Sequence, residues 1–269
     1  MSATGINQTG SVAVQGSGRL IIGIMAGVLT FWLFAQSVVN IVPAIQQDVA
    51  IPLGSLNLAI SLTGLFSGCF IVVAGGFADR FGRVKMTQLG FVLSIIGCLC
   101  LIMAQNTLLF AVGRIIQGLS AACIMPATLA LIKTYYQDAA RQRALSYWSI
   151  GSWGGSGLCS LAGGAIATYC GWKWVFILSI LFALAGMLLI RGTPESKVAA
   201  TVSHRFDYFG LFTFVVMLIC LNWTITKGNA FGWTSSFILI PGGIFLLAAL
   251  LFLPARGVKK RQLYRLCAV

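Results

Sequence analysis

Charge is almost absent from eight long stretches of this chain. The apolar runs lie near residues 20–42, 55–77, 87–104, 108–133, 145–168, 173–191, 208–226 and 235–253, with short polar connections between them. A bilayer core of roughly 30 Å takes about 20 helical residues to cross, and the runs match that length. In lipid, a spanning segment must satisfy its own backbone N–H and C=O groups, which leaves helices and closed barrels. Runs that are apolar at every position, with no alternation, predict helices. The expected fold is all-α: a polytopic membrane protein of about eight transmembrane helices.

Composition excludes the alternatives. The chain is 58% hydrophobic and 9% charged, with a mean hydropathy of +0.94, values no water-soluble domain of this length shows. The net charge of +13 does not indicate nucleic acid, because the cations are scattered between apolar runs and form no continuous basic face. Instead they report topology. Arg19, Arg80, Arg83, Lys85, Lys133, Arg141, Arg143, Arg191, Lys197, Arg205 and the tail from Arg256 to Arg265 fall on one side, against Lys173 and Lys227 on the other. Positive loops stay inside, so both termini are expected in the cytoplasm, with the chain in the cell membrane. The eight cysteines lie mostly within apolar runs without metal spacing and read as small buried hydrophobes. No cofactor or metal is expected, and no acid/base pair or nucleophile constellation in the spans suggests an enzyme.

Residues 1–18 are polar and read as a disordered cytoplasmic lead. The run after Arg19 is too long for a signal-peptide core. The pairs Gly23/Gly27, Gly64/Gly68 and Gly151/Gly155 have the G-x-x-x-G spacing that lets helices approach closely.

Arg114 stands within the fourth run, followed by Ile115-Ile116-Gln117-Gly118. A cation at mid-membrane costs at least ~2.5 kcal/mol and normally lines a cavity or serves a site. The alternative is an arginine near the helix end, snorkelling to the headgroups. Gln117, one turn on, shares its face. Gln36 and Asn40, also a turn apart, either line a polar cavity or make ordinary interhelical hydrogen bonds. The acids Asp48, Asp79, Asp138, Glu195 and Asp207 all sit at or near span ends, so no carboxylate lies deep in a span.

The connection Gly75-Gly76-Phe77-Ala78-Asp79-Arg80-Phe81-Gly82-Arg83-Val84-Lys85 is similar to the loop between helices 2 and 3 of the major facilitator superfamily of transporters. Arg114-x-x-Gln117-Gly118 resembles that superfamily's helix 4 motif. Gly151 to Gly164 resembles the antiporter signature of its drug exporters: Gly155, Gly163 and Gly164 match, while Cys159-Ser160 replace Gly-Pro. The proline kink is therefore absent, though the glycines leave this helix pliable. Ser37 to Pro43 is similar to a helix 1 motif of the fourteen-helix drug:proton antiporters. The resemblance, over roughly residues 19–253, implies a six-helix bundle at 19–192, a cytoplasmic loop at 193–207, two linking helices at 208–253 and a basic tail at 254–269. It implies proton-coupled efflux of drugs such as quinolones and cationic dyes. The roles it implies are proton coupling for Arg114 and Gln117, and a conformational switch for Gly75, Asp79, Arg80, Gly82 and Arg83. It also implies an antiporter-like helix at Gly155, Ser160, Gly163 and Gly164.

The superfamily's second bundle does not follow, and the tail does not match the expected loop. A frameshifted or prematurely stopped gene is the expectation here. The competing readings are an inactive membrane remnant, a partner interfering with a full-length pump, and a homo-oligomeric half-transporter. Trp172-Lys173-Trp174 reads as an interfacial aromatic anchor, Thr193-Pro194-Glu195-Ser196 as a helix stop, and His204 as a solvated loop residue.

Overall fold

The structure is a computed structural model describing residues 16–49, 51–197 and 208–250. The helices are α1 (Gly18–Val49), α2 (Leu53–Phe81), α3 (Arg83–Ile102), α4 (Thr107–Tyr135), α5 (Asp138–Ser149), α6 (Gly155–Tyr169), α7 (Lys173–Ile190), α8 (Tyr208–Phe231) and α9 (Ser236–Leu250). The described residues form no strand, as an all-α reading requires. α1, α2, α3, α4, α7 and the Phe212–Phe231 part of α8 are each long and apolar enough to cross a bilayer. The expected fifth span is built in pieces: α5, a five-residue π turn at Ile150–Gly154, and α6. The calls on the tail, His204, Asp207 and residues 1–15 of the lead lie outside the described residues; residues 16–18 are ordered against the end of α4, with Gly16 N donating to the Tyr135 carbonyl, Tyr136 donating to the Ser17 carbonyl and Gly18 opening α1.

Several helices outrun their apolar cores. The 32 residues of α1 extend about 48 Å at 1.5 Å per residue, well beyond the hydrocarbon. Pro43 lies inside this helix, past the expected span end at residue 42. The expected loop at Gly75–Lys85 is almost entirely helical. Gly75 to Phe81 are the last turns of α2, Arg83 opens α3, and Gly82 alone makes the reversal. It does so at φ +127°, a conformation open to glycine and strained for other residues.

α4 packs along both α2 and α3, α1 packs against α6 and α7, and α3 closes against α7. Small residues set these distances. A Cβ built on Gly118 would stand 2.6 Å from the Thr63 carbonyl oxygen, and one on Gly97 would stand 3.1 Å from that of Gly113. Gly23 meets Ile190, and Gly27 meets Phe91 and Ile124, so the first expected glycine pair does seat α1. Gly64, by contrast, faces open space; its pairing with Gly68 marks no packed seam. α8 lies against α2, where Leu218 reaches Gly68.

The aromatic anchor expected at residues 172–174 is also different from expectation. Trp172 is buried, with Nε1 donating to Asp48 at 3.0 Å, and Lys173 pairs with the same carboxylate at 3.4 Å. Trp172 thus ties the start of α7 to the end of α1. Trp174 remains exposed, as a headgroup anchor should be.

Candidate functional site

Arg114 is 1% exposed, the largest fully buried side chain in the described structure. It does not snorkel. α4 carries it inward because Gly113 and Gly118 bring α3 and α2 against the same stretch of helix. Nη1 donates to the Phe34 carbonyl and to Gln117 Oε1, both at 2.8 Å, and Gln117 Nε2 reaches Cys98 Sγ at 3.3 Å. The Arg114 carbonyl in turn accepts from Thr63 at 2.9 Å. Four helices therefore meet around Arg114, α1 and α4 at its guanidinium, α3 through Gln117 and α2 at its backbone carbonyl. Its Nε has no hydrogen-bond partner, and the ion pairs among the described residues are Asp79–Arg83 and Asp48–Lys173. A buried charge without a counter-ion is costly. This one is held by carbonyl and amide dipoles alone.

A second cluster forms where α1 crosses α6. Ser37 donates to the Cys159 carbonyl at 2.6 Å, and Asn40 Nδ2 donates to Ser160 Oγ at 2.6 Å and to the Ser160 carbonyl at 3.2 Å. A side chain at Gly163 would collide with Ser37, and one at Gly155 would stand 3.1 Å from Leu29. Residues from two separate sequence patterns are thus one seam, and Asn40 makes an interhelical bond there. Gln36 is exposed on the same helix. Gly164 has no neighbour within 4 Å and stands apart from the seam. The π turn lies immediately before Gly155, whose N–H bonds back five residues to the Ile150 carbonyl. Such turns replace proline as a way to bend a helix.

The third cluster gathers at the Gly82 end of the bundle. Asp79 Oδ1 accepts from Arg83 Nε at 3.1 Å and Nη2 at 2.9 Å, and Arg83 Nη1 donates to Thr134 on α4. Arg80 is exposed, its guanidinium 5.8 Å from the Phe81 ring centroid. Gly75 packs on Pro126, 3.5 Å from an ideal Cβ. Sequence reasoning missed the remaining member. Glu195, taken for part of a helix stop, reaches back to accept from the amides of Val84 at 2.9 Å and Lys85 at 3.0 Å. The Ser196 carbonyl accepts from Arg83 N at 3.1 Å, and Tyr135 donates to the Pro194 carbonyl. The first amides of a helix need external acceptors, and Gly82 has no side chain to supply one. That was the available signal: an uncapped helix start whose cap must come from elsewhere.

Comparison with known proteins follows the same lines. A family profile described as Major Facilitator Superfamily matches residues 20–255. The quinolone resistance proteins NorB of Staphylococcus aureus strains JH9 and Newman are each 55% identical over 223 residues, which is 83% of this chain and 48% of theirs. The chain thus spans about half the length of these relatives. Among solved structures, a peptide transporter POT in complex with sulfate superposes with a TM-score of 0.62 at 14% identity, covering 85% of this chain and 51% of that one. The POT family transporter PepTSo gives 0.59 at 14% identity, over 89% and 54%. At such identities these structures speak for the fold alone.

Proposed function

Because the chain belongs to the Major Facilitator Superfamily, we propose that it forms the N-terminal bundle (19–192) and two linking helices (208–253) of a proton-coupled drug exporter. It sits in the cell membrane with both ends cytoplasmic, and works on quinolones and cationic dyes against a second bundle. The observation that carries this reading is Arg114: a buried, fixed cation, hydrogen-bonded to Gln117 and Phe34, with no carboxylate paired to it among the described residues. Such a group favours the approach of an anion and disfavours a proton on any group beside it. It therefore responds to charge presented from outside the bundle, which is what coupling requires. The name and 55% identity of the NorB relatives support the drug class.

The other clusters supply the mechanics. Transporters of this kind form their site at the interface of two bundles, and one bundle rocks against the other. The exposed Gln36 and the Asn40–Ser160 seam present hydrogen-bonding groups on one flank of the bundle. The Asp79–Arg83 pair and the Thr134 contact fix the ends of α2, α3 and α4 in one arrangement, so the Gly82 junction acts as the switch that locks or frees that end.

The test is reconstitution from halves. The chain is co-expressed with the C-terminal half of the Staphylococcus aureus relative in a drug-sensitive bacterium without its own exporters. Energy-dependent ethidium efflux, collapsed by a protonophore and absent when either half is expressed alone, is expected. Both halves present in the membrane without efflux, or efflux indifferent to the protonophore, refutes the proposal.

A further inference from the structure

We propose that the groove between α2, α3 and α4 is a binding site for one acyl chain of an anionic glycerophospholipid, with its phosphate at Lys85. The cavity measures about 570 Å³, within the range of small-molecule sites. Ala74, Ala122 and Cys123 form a floor of small buried residues, and Phe70, Phe77 and Phe81 form an exposed aromatic wall. Among the described residues, Lys85 is the only charged one lining it.

Length and charge both fit this occupant. From Phe70 to Phe81 the helix rises about 16 Å at 1.5 Å per residue, close to half of a roughly 30 Å hydrocarbon core. The groove is therefore one leaflet deep. Its cation stands at the end of α2, at the level where a lipid phosphate lies. Lys85 takes part in neither ion pair of the described residues, and the exposed Arg80 beside Phe81 adds a second cation at the mouth. Of the acids at this end, Glu195 has both carboxylate oxygens engaged by the amides of Val84 and Lys85 and Asp79 is paired with Arg83. A zwitterionic lipid offers the same tail but brings its own cation to a cationic mouth, so anionic headgroups are selected. The site rests only on the chain spanning a membrane and not on drug transport.

The experiment is native mass spectrometry of the full chain released from detergent micelles containing equal phosphatidylglycerol and phosphatidylcholine. Wild type should retain the anionic lipid several-fold over the zwitterionic one. Lys85→Gln should cut that difference at least by half while still retaining lipid, and Leu89→Trp, which narrows the exposed side of the groove, should reduce retention of both. Circular dichroism of each variant confirms that its helices are intact. Equal retention of the two lipids by wild type overturns the proposal, as it would if a second copy of the chain covered the groove. Undiminished selectivity in Lys85→Gln, or undiminished retention in Leu89→Trp, overturns it equally.

Discussion

Glu195 and Gly82 should be energetically coupled, although they lie more than a hundred residues apart in the chain. Removing the carboxylate in Glu195→Ala strips acceptors from the second and third amides of α3. Caps of this kind are worth typically ~1 kcal/mol, and a carboxylate at a helix N-terminus adds about 0.3–1 kcal/mol at an exposed site. The expected loss is therefore about 1–2 kcal/mol. Gly82→Ala carries two penalties. One is backbone strain of order 1–3 kcal/mol at φ +127°. The other is a Cβ placed 2.5 Å from Glu195 Oε1, which expels the carboxylate and forfeits the same cap. In the Glu195→Ala background only the strain remains. The double variant should then be less destabilised than the sum of the singles by the cap counted twice, about 1–2 kcal/mol, within the range of direct contacts. Thermal unfolding in detergent measures the cycle. Hydrogen exchange over residues 82–88 gives an independent readout: the Val84 and Lys85 amides, protected in wild type, should exchange faster in Glu195→Gln and fastest in Glu195→Ala. An additive cycle with unchanged exchange at Val84 and Lys85 would refute the capping argument.

Three further outcomes are expected. In a completed exporter, Arg114→Leu should abolish protonophore-sensitive dye efflux while the protein remains in the membrane; normal efflux would end the coupling assignment. Gly163→Val should clash with Ser37 and part α1 from α6 at a cost of about 1–3 kcal/mol, seen as a lower melting temperature, whereas Gly164→Val, with no neighbour to meet, should change little. In variants keeping one cysteine, the exposed Cys170 should react with an impermeant thiol reagent in intact cells and Cys267 only after permeabilisation; the reverse pattern would invert the orientation.

The helical class and the approximate spans were legible because lipid leaves few solutions for an apolar run of about 20 residues. Arg114 was legible for a related reason: a charge inside such a run stands out against its neighbours. What it touches was not legible, since a snorkelling arginine and a buried one share the same sequence. Burial was decided by Gly97, Gly113 and Gly118 drawing three helices together, a tertiary fact. The Gly75–Lys85 pattern was recognisable yet misread as a loop, because glycine marks a reversal without stating its length. Here one residue sufficed. Glu195 and the Asn40–Ser160 bond depend on which helix ends and faces meet, and no local pattern encodes that.

The π turn at Ile150–Gly154 works as a phase shifter. An α-helix turns about 100° per residue, so holding one extra residue rotates everything after Gly155 by that angle relative to everything before Ile150. α5 directs Ala144 into the core and Trp148 toward Thr128 on α4, while α6 directs Cys159, Ser160 and Gly163 at α1. A continuous helix in either phase would satisfy one partner and turn its other half away. Deleting a single residue within 150–154 should therefore act as a rotation, swinging Gly163 off Ser37 without removing any side chain that touches α1 beyond the turn.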